Sequence, residues 1–428
     1  MNMNLFGHDG QWLMVDCGIT FDEPITPGSR DIFRVVAADP SFIAQQKESL
    51  AGIVITHAHE DHIGGLAHLW PRLKAPVYTT PFTAEVLRRK LAEVGLVGKV
   101  PIIEVSIEES ISIGGFTVSW VPITHSLPEP HALLIETPVG KIFHSADWKI
   151  DQRPGVGNGF EQWRFERLGE SAITAMTCDS TNALKAGHSL SEYECFQGLL
   201  QTVKATQNRV VITCFASNVA RLIAIGRIAQ ATNRYLAVYG RSLQNMIGVA
   251  RVTGHWPEDI EIIDNAHAGY LPKNEILAVA TGSQGEPQAA LARMANDTHR
   301  DINLDTGDTV IFSAMIIPGN EIEVERLLRQ FKARKITTIL SESSEHPIHA
   351  SGHPNKDELR QMYQWVKPQI AIPIHGEAEH IEANAKLAKS VGVAKYFTGK
   401  NGDLYQLAPQ PMLKRGAVKA GRIVIRAE

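Results

Sequence analysis

A chain of 428 residues exceeds what one ordinary hydrophobic core supports, so two domains are expected. Hydrophobic residues make up 44% and charged residues 21%, which excludes a disordered chain, and no low-complexity tract or fixed-period repeat is present. The formal net charge of -4 gives no global sign of a nucleic-acid binder, although a local basic channel fits inside a mildly acidic whole.

Residues 1–10, MNMNLFGHDG, have neither the basic nor the apolar part of a signal peptide. No stretch approaches the roughly 20 apolar residues needed to cross a bilayer, so a cytoplasmic protein with no membrane partner is expected. GQWLMVDCG (10–18) and AGIVIT (51–56) read as strands. A helix over IGGLAHLWPRL, a strand at APVYTT and a helix around TAEVLRRKLAEVG follow. FTVSWVPITHS is a strand, and HALLIETPVGKIFHSAD is a hairpin turning at Pro138 to Gly140. From about residue 181 helix and strand alternate strictly. Ser189 and Glu192 form the expected capping box of a helix running through Gln201. RVVITCF, RYLAVYG, EILAVATG, DTVIFSA and KITTILS then read as strands of a largely parallel sheet with helices on its faces. After HASGH (349–353) come the helix DELRQMYQWV, the apolar strand QIAIPIH and a helix near HIEANAKLAKSVG. Residues from about Leu407 carry few signals and read as a linker or arm. Cys17, Cys178, Cys195 and Cys214 form no CxxC pair and are expected as buried free thiols of a reducing compartment.

His57, His59, Asp61 and His62 lie within six residues directly after a strand, in THAHEDHIGG (56–65). Imidazole and carboxylate suit zinc and similar divalent ions. The H-x-H-x-D-H spacing lets His57 and His59 serve one ion while Asp61 and His62 serve another, and Gly64 and Gly65 let the backbone pass close beneath. Further ligands are expected where strand-like runs end: His125 in PITHS, Asp147 in HSADWK and His375 in PIHGE. Asp147, with two carboxylate oxygens, is suited to bridge both ions. Residue type alone is weak evidence in a chain with 17 histidines. His131, His144, His188 and His380 read as supporting or surface residues, and His8, His68, His255, His267 and His299 carry no motif. Two ions about 3.5–4 Å apart polarise water and steady attacking and leaving oxygens alike. That chemistry hydrolyses phosphodiesters, lactams, lactones and thioesters.

Three segments have the character of phosphate loops. Ser217 and Asn218 precede a helix whose free N–H groups attract anions, with Arg221 one turn in. Ser283, Gln284 and Gly285 lie in GSQG before a helix expected to open at Pro287. In HASGH, Ser351 and Gly352 are small residues beside His349 that admit close backbone approach. Singly, each reads as readily as an ordinary helix cap.

THAHEDHIGG, His125, Asp147 and His375 resemble the metallo-β-lactamase fold, an α/β architecture in four αββα layers with metals at its edge. The later segments resemble the β-CASP subgroup, whose members act on nucleic acids. More narrowly, CDSTNA (178–183), FASNVAR (215–221), TGSQGEPQAALARMA (281–295), IFSAMIIPGNE (311–321), HASGH and IPIHGE (372–377) resemble bacterial ribonuclease J, in order across nearly the whole chain. The resemblance implies a metallo-β-lactamase domain over residues 1–180, a β-CASP insertion over 181–348, and a return segment with a C-terminal linker over 349–428. It implies that His57, His59 and His125 hold one metal and Asp61, His62 and His375 the other, with Asp147 bridging. Two zinc ions are expected, with manganese or magnesium as alternatives. Asp179 would orient a ligand histidine, and His353 would bond the scissile phosphate or protonate the leaving oxygen.

The implied partner is single-stranded RNA whose 5′-monophosphate sits in one of the phosphate loops. The implied activity is 5′-to-3′ exonuclease action, with internal cleavage when RNA threads differently. Resembling chains begin with a further strand and a GEIG-like turn ahead of MNMNLFGHDG, so either the start is unusual or the metal-side sheet lacks an edge strand. They also carry a C-terminal domain linked to dimer formation, which leaves a homodimer open. Two other readings stand beside this one. A lactonase or thioesterase of the same fold would not need the long insertion between Asp179 and His349. A weakly active RNA-binding subunit would not need the full ligand set.

Overall fold

The computed structural model describes residues 1–22, 34–107 and 109–425. The apolar runs Gln11–Val15, Leu50–Val54 and Val77–Thr79 pair in parallel, and Asn4–His8 and Ile102–Glu104 flank them in a five-stranded sheet. Among the described residues Asn4–His8 is the outermost strand on its side. A second sheet has seven strands in the order Lys395–Tyr396, Ile370–Ile374, Ala175–Asp179, Gly140–His144, His131–Thr137, Phe116–Pro122 and Ser110–Ile113. The expected hairpin is present, with Thr137 paired to Gly140 across the turn.

Alternation along these strands builds the core. Phe6, Leu13, Val15 and Val54 from the first sheet meet Val118, Trp120, Leu133 and Ile135 from the second in one buried cluster. The outer face of the first sheet is covered by helices Leu66–Leu73 and Pro81–Glu93, which set Leu69, Leu73, Phe82 and Leu87 against Met14, Ile53 and Val77. Helices Gln162–Gly169 and Lys356–Val366 cover the second, packing Phe165, Leu359, Met362 and Val366 on Phe143, Met176 and Ala371. The result is the expected αββα sandwich.

After Ala175–Asp179 the chain leaves this sandwich, and it re-enters with Lys356–Val366 and then Ile370–Ile374, the latter in parallel pairing with that same strand. Between the two lies a separate, all-parallel sheet in the order Tyr235–Tyr239, Ile276–Ala280, Val210–Thr213, Thr309–Phe312 and Thr337–Leu340. The connections from the adjacent strands Val210–Thr213 and Thr309–Phe312 run to opposite sides, so the winding of the sheet reverses between them.

Three local expectations are corrected. The capping box sits two residues later than read: the Ser191 hydroxyl accepts from the Glu194 amide at 3.0 Å and the Glu194 carboxylate accepts from the Ser191 amide at 2.8 Å. Ser189 instead donates to Glu358, and Glu192 is buried. The helix after GSQG opens at Ala290 rather than Pro287. The segment after Leu407 is not a free arm, because Arg422–Val424 pairs antiparallel with Arg34–Ala38. Strands of three residues are too short to show a period. The four cysteines are buried and unpaired, as expected.

Candidate metal centre

The loops at the carboxyl ends of Leu50–Val54, Phe116–Pro122, Gly140–His144 and Ile370–Ile374 converge on one spot. His57, His59, His125 and Asp147 form one group of donor atoms within 4.8 Å of one another, and Asp61, His62, Asp147 and His375 form a second, with Asp147 common to both. In the first, His59 Nδ1 lies 3.2 Å from His57 Nε2 and 3.0 Å from His125 Nε2, while Asp147 Oδ2 lies 3.9 Å from His57 Nε2. In the second, His375 Nε2 stands 3.0 Å from Asp61 Oδ2, and His62 Nε2 stands 3.4 Å from Asp61 Oδ2 and 3.2 Å from Asp147 Oδ2. A tetrahedron of bonds about 2.0–2.1 Å long has edges of roughly 3.3–3.4 Å. Both donor sets therefore fit a divalent cation in spacing and chemistry.

Four of the imidazoles are fixed by a bond from Nδ1 on their far side, which leaves Nε2 facing the centre. His62 Nδ1–H donates to Asp16 Oδ2 at 2.7 Å and His125 Nδ1–H donates to the Gly352 carbonyl at 2.6 Å. The Thr56 hydroxyl, itself donating to Asp16, accepts from His57 Nδ1–H at 2.9 Å. Asp179 accepts from the Thr181 hydroxyl at 2.7 Å, and that oxygen accepts from His375 Nδ1–H at 2.8 Å. Asp179 Oδ2 also accepts from His353 Nδ1–H at 2.8 Å. Asp179 thus orients two histidines, one directly and one through Thr181.

Charge is divided across the centre. Burial holds His57, His59 and His125 below the ordinary histidine range, His59 at about 4, which favours the neutral ring. Burial also opposes charge on His62 and His375, but the carboxylates of Asp147, Asp61 and their neighbours overcome it and hold both well above that range. Three non-glycine residues here adopt positive φ: Asp16 at 65°, Ala146 at 50° and His375 at 56°. Such conformations persist only where surrounding structure imposes them.

Asp16, Thr56 and Thr181 were not singled out in the sequence. An acidic residue ending the apolar run WLMVD was the available signal for Asp16. The threonines carried none.

The phosphate-loop expectations fare unevenly. Asn218 caps the helix Val219–Ala231, its side-chain oxygen accepting from the Arg221 amide, while the Ala220 amide donates to Ser126 and the Val219 amide to Ser217. The N–H groups expected to receive an anion are therefore already bonded. Arg221 is also corrected: its guanidinium is fully buried, paired to Glu192 at 3.0 Å and donating to Ser313. Ser283 and Gln284 are buried, Gln284 bonding Met315, Ile317 and Asn320, and Gly285 folds back onto Gly282. The HASGH segment stays close to the metal donors. Ser351 accepts from Asn182 at 2.9 Å, and both ring nitrogens of His349 are buried without a hydrogen bond.

This fold and this double donor set define a metallo-hydrolase of the β-lactamase superfamily, whose family model matches residues 11–165. Two further models match, "Ribonuclease J, beta-CASP domain" over residues 207–331 and "Zn-dependent metallo-hydrolase RNA specificity domain" over 345–397. The chain belongs to the ribonuclease J family. It is 41% identical over 427 residues to ribonuclease J of Sinorhizobium meliloti, covering 99% of this chain and 75% of that one. It is 35% identical to ribonuclease J of Mycolicibacterium smegmatis, with 99% and 75% covered, and 35% identical to that of Helicobacter pylori, with 96% and 59% covered. A crystal structure of a protein of unknown function from Enterococcus faecalis V583 superposes with a TM-score of 0.62 at 16% identity, covering 99% of this chain and 96% of that one, and so shares the fold.

Proposed function

We propose that this protein is a metal-dependent ribonuclease that hydrolyses RNA phosphodiesters to 5′-phosphate and 3′-hydroxyl ends. The observation that carries the reading is the pair of donor sets sharing Asp147, placed beside the HASGH segment. Two divalent ions, zinc by the donor chemistry, with manganese or magnesium as alternatives, supply Lewis acidity and charge neutralisation when bound.

The chain's own residues account for the remaining steps. His57, His59 and His125 present neutral lone pairs on one side, and Asp61, His62 and His375 complete the other. Asp179 and the nearby Asp147 keep His353 protonated against its burial, so that it donates a proton to the leaving 3′ oxygen. Ser351 and Gly352 anchor a 5′-monophosphate, a role that the bonded helix N-terminus at Val219 does not fill, with His349 buried behind them. Anchoring at the 5′ end favours 5′-to-3′ trimming, and RNA bound without that anchor is cut internally. No helix among the described residues is long and apolar enough to cross a membrane. Light scattering decides between a monomer and a homodimer.

Incubation with 5′-monophosphorylated single-stranded RNA and Zn²⁺ or Mn²⁺, resolved nucleotide by nucleotide, tests the reading. Mononucleotides from the first time point support exonuclease action, and intermediate fragments support internal cutting. No cleavage, or undiminished cleavage by an Asp61→Ala, His62→Ala variant, overturns it.

A further inference from the structure

MNMN offers no motif, yet the fold brings its first asparagine against the second donor set. The Asn2 amide N–H donates to the Asp61 carbonyl at 2.7 Å, and its side-chain amide donates to the same carbonyl at 3.1 Å and to Asp61 Oδ2 at 3.3 Å. The same side-chain nitrogen stands 3.0 Å from His62 Nε2, the atom that faces Asp147. The Asn2 carbonyl in turn accepts from the Gly18 amide at 2.9 Å.

Gly18 presses on Asp61 as well, since a Cβ there would lie 1.7 Å from the Asp61 carbonyl oxygen. The Asp61 backbone is therefore held between Asn2 and a glycine that admits no side chain. Asp61 itself is 36% exposed at its side chain, so packing alone does not fix its rotamer. A cavity of about 10 Å³ remains between Asn2, Asp16, His62, Asp147 and His375, on the scale of a single water molecule.

We propose that Asn2 is a positioning residue for the second metal site, holding Asp61 Oδ2 toward His375. Among the described residues the hydrogen bonds of Asn2 go to Asp61, His62 and Gly18 and none to His57, His59 or His125, so its effect falls on one ion and not the other. The inference rests on the two-ion reading, and the test separates the two.

Metal-free wild-type protein is titrated with Co²⁺ and, separately, Zn²⁺, following uptake by calorimetry and by the Co²⁺ absorption bands. Asn2→Leu, close in size but without a donor, and Asn2→Ala are compared with it. The wild type is expected to take up two ions. Both variants are expected to bind the first with unchanged affinity and the second 10–100-fold more weakly, the range seen for lost partners of ligands. Rebinding should recover at saturating metal, together with the wild-type absorption spectrum. Two unchanged steps in both variants, or equal weakening of both steps, overturns the role of Asn2. Uptake of fewer than two ions by the wild type overturns the two-ion reading and the inference with it.

Discussion

Replacing Arg221 by methionine removes one charge from a network of four that lies wholly inside the protein. Lys149, Asp151, Glu192 and Arg221 are all buried. Lys149 pairs with Asp151 at 3.0 Å and stands 4.0 Å from Glu192, which accepts from Arg221 at 3.0 and 3.1 Å. The four charges cancel. Without Arg221, Glu192 keeps only the more distant lysine, and the carbonyls of Ser313 and Ile348 lose a donor. Removing one partner of a buried ion pair costs about 3–5 kcal/mol, because the remaining charge is left uncompensated. That is a large part of the 5–15 kcal/mol typical of a folded domain.

The same reasoning makes the double variant Glu192→Met, Arg221→Met the decisive comparison. It leaves Lys149 and Asp151 as a neutral pair, so at least half of the loss is expected to return. Urea unfolding followed by tryptophan fluorescence measures both. A single variant that costs less than about 1 kcal/mol refutes the reasoning, since the stated penalty for an unpaired buried charge is several times larger. A double variant that costs the sum of its parts does so too, because the two charges would then not be coupled.

Gly352→Ala would place a Cβ 2.4 Å from His125 Cε1, displacing that ring; one ion should be lost and RNA cleavage should fall about 10–100-fold, and unchanged metal content by elemental analysis contradicts this. Stripping metal with a chelator should abolish cleavage and lower stability by about 4 kcal/mol for each ion otherwise present at 1,000 times its Kd, with recovery on adding Zn²⁺ or Mn²⁺. Cleavage that survives the chelator rules out metal dependence. Glu129 joins the two domains by accepting from His255 at 2.9 Å and from the Phe82 amide at 2.8 Å. Burial raises the Glu129 carboxyl, but these bonds outweigh it and hold it below its ordinary value of 4.5. A carboxyl depressed in the folded state contributes stability above its unfolded value and loses it as pH falls through the folded one. Glu129→Gln should therefore cost about 1–3 kcal/mol at pH 7 and progressively less as the pH is taken below 4.5, and a pH-independent difference contradicts the assignment.

The metal donors were legible because their chemistry coincides with local pattern. His57 to His62 share one loop, and His125, Asp147 and His375 each close an apolar run, where a sheet delivers side chains to a common edge. The layers were legible from the change of rhythm near residue 181, which reflects two kinds of sheet. What escaped was direction. An arginine one turn into a helix reads identically whether it faces solvent or core, and the partner that draws Arg221 inward, Glu192, lies 29 residues away. Glu192 was in turn misread as a cap because burial of a carboxylate leaves no mark on spacing. Asp16 and Asn2 escaped for a related reason: each acts on a ligand rather than as one, and lies 46 and 59 residues from the group it holds.

These long-range tethers bear on the function as well. The Gly352 carbonyl orients His125 from 227 residues away, and Arg221 secures Ile348, just ahead of that segment. The Ala220 amide, at the mouth of a helix on the parallel sheet, donates to the carbonyl of Ser126, whose hydroxyl lies 3.3 Å from His59 Nε2. The second domain is thus bonded toward the metal centre through Ala220 and Ser126 beside His59, and through Arg221 to the Ile348 carbonyl ahead of Gly352. A hydrolase of small molecules needs the sandwich loops alone, and the insertion would be free to drift relative to them. Here the wall facing the metals is built into the ligand geometry, so its distance from the metal donors is fixed by hydrogen bonds. A polymer that spans both walls is the substrate for which such a fixed distance matters.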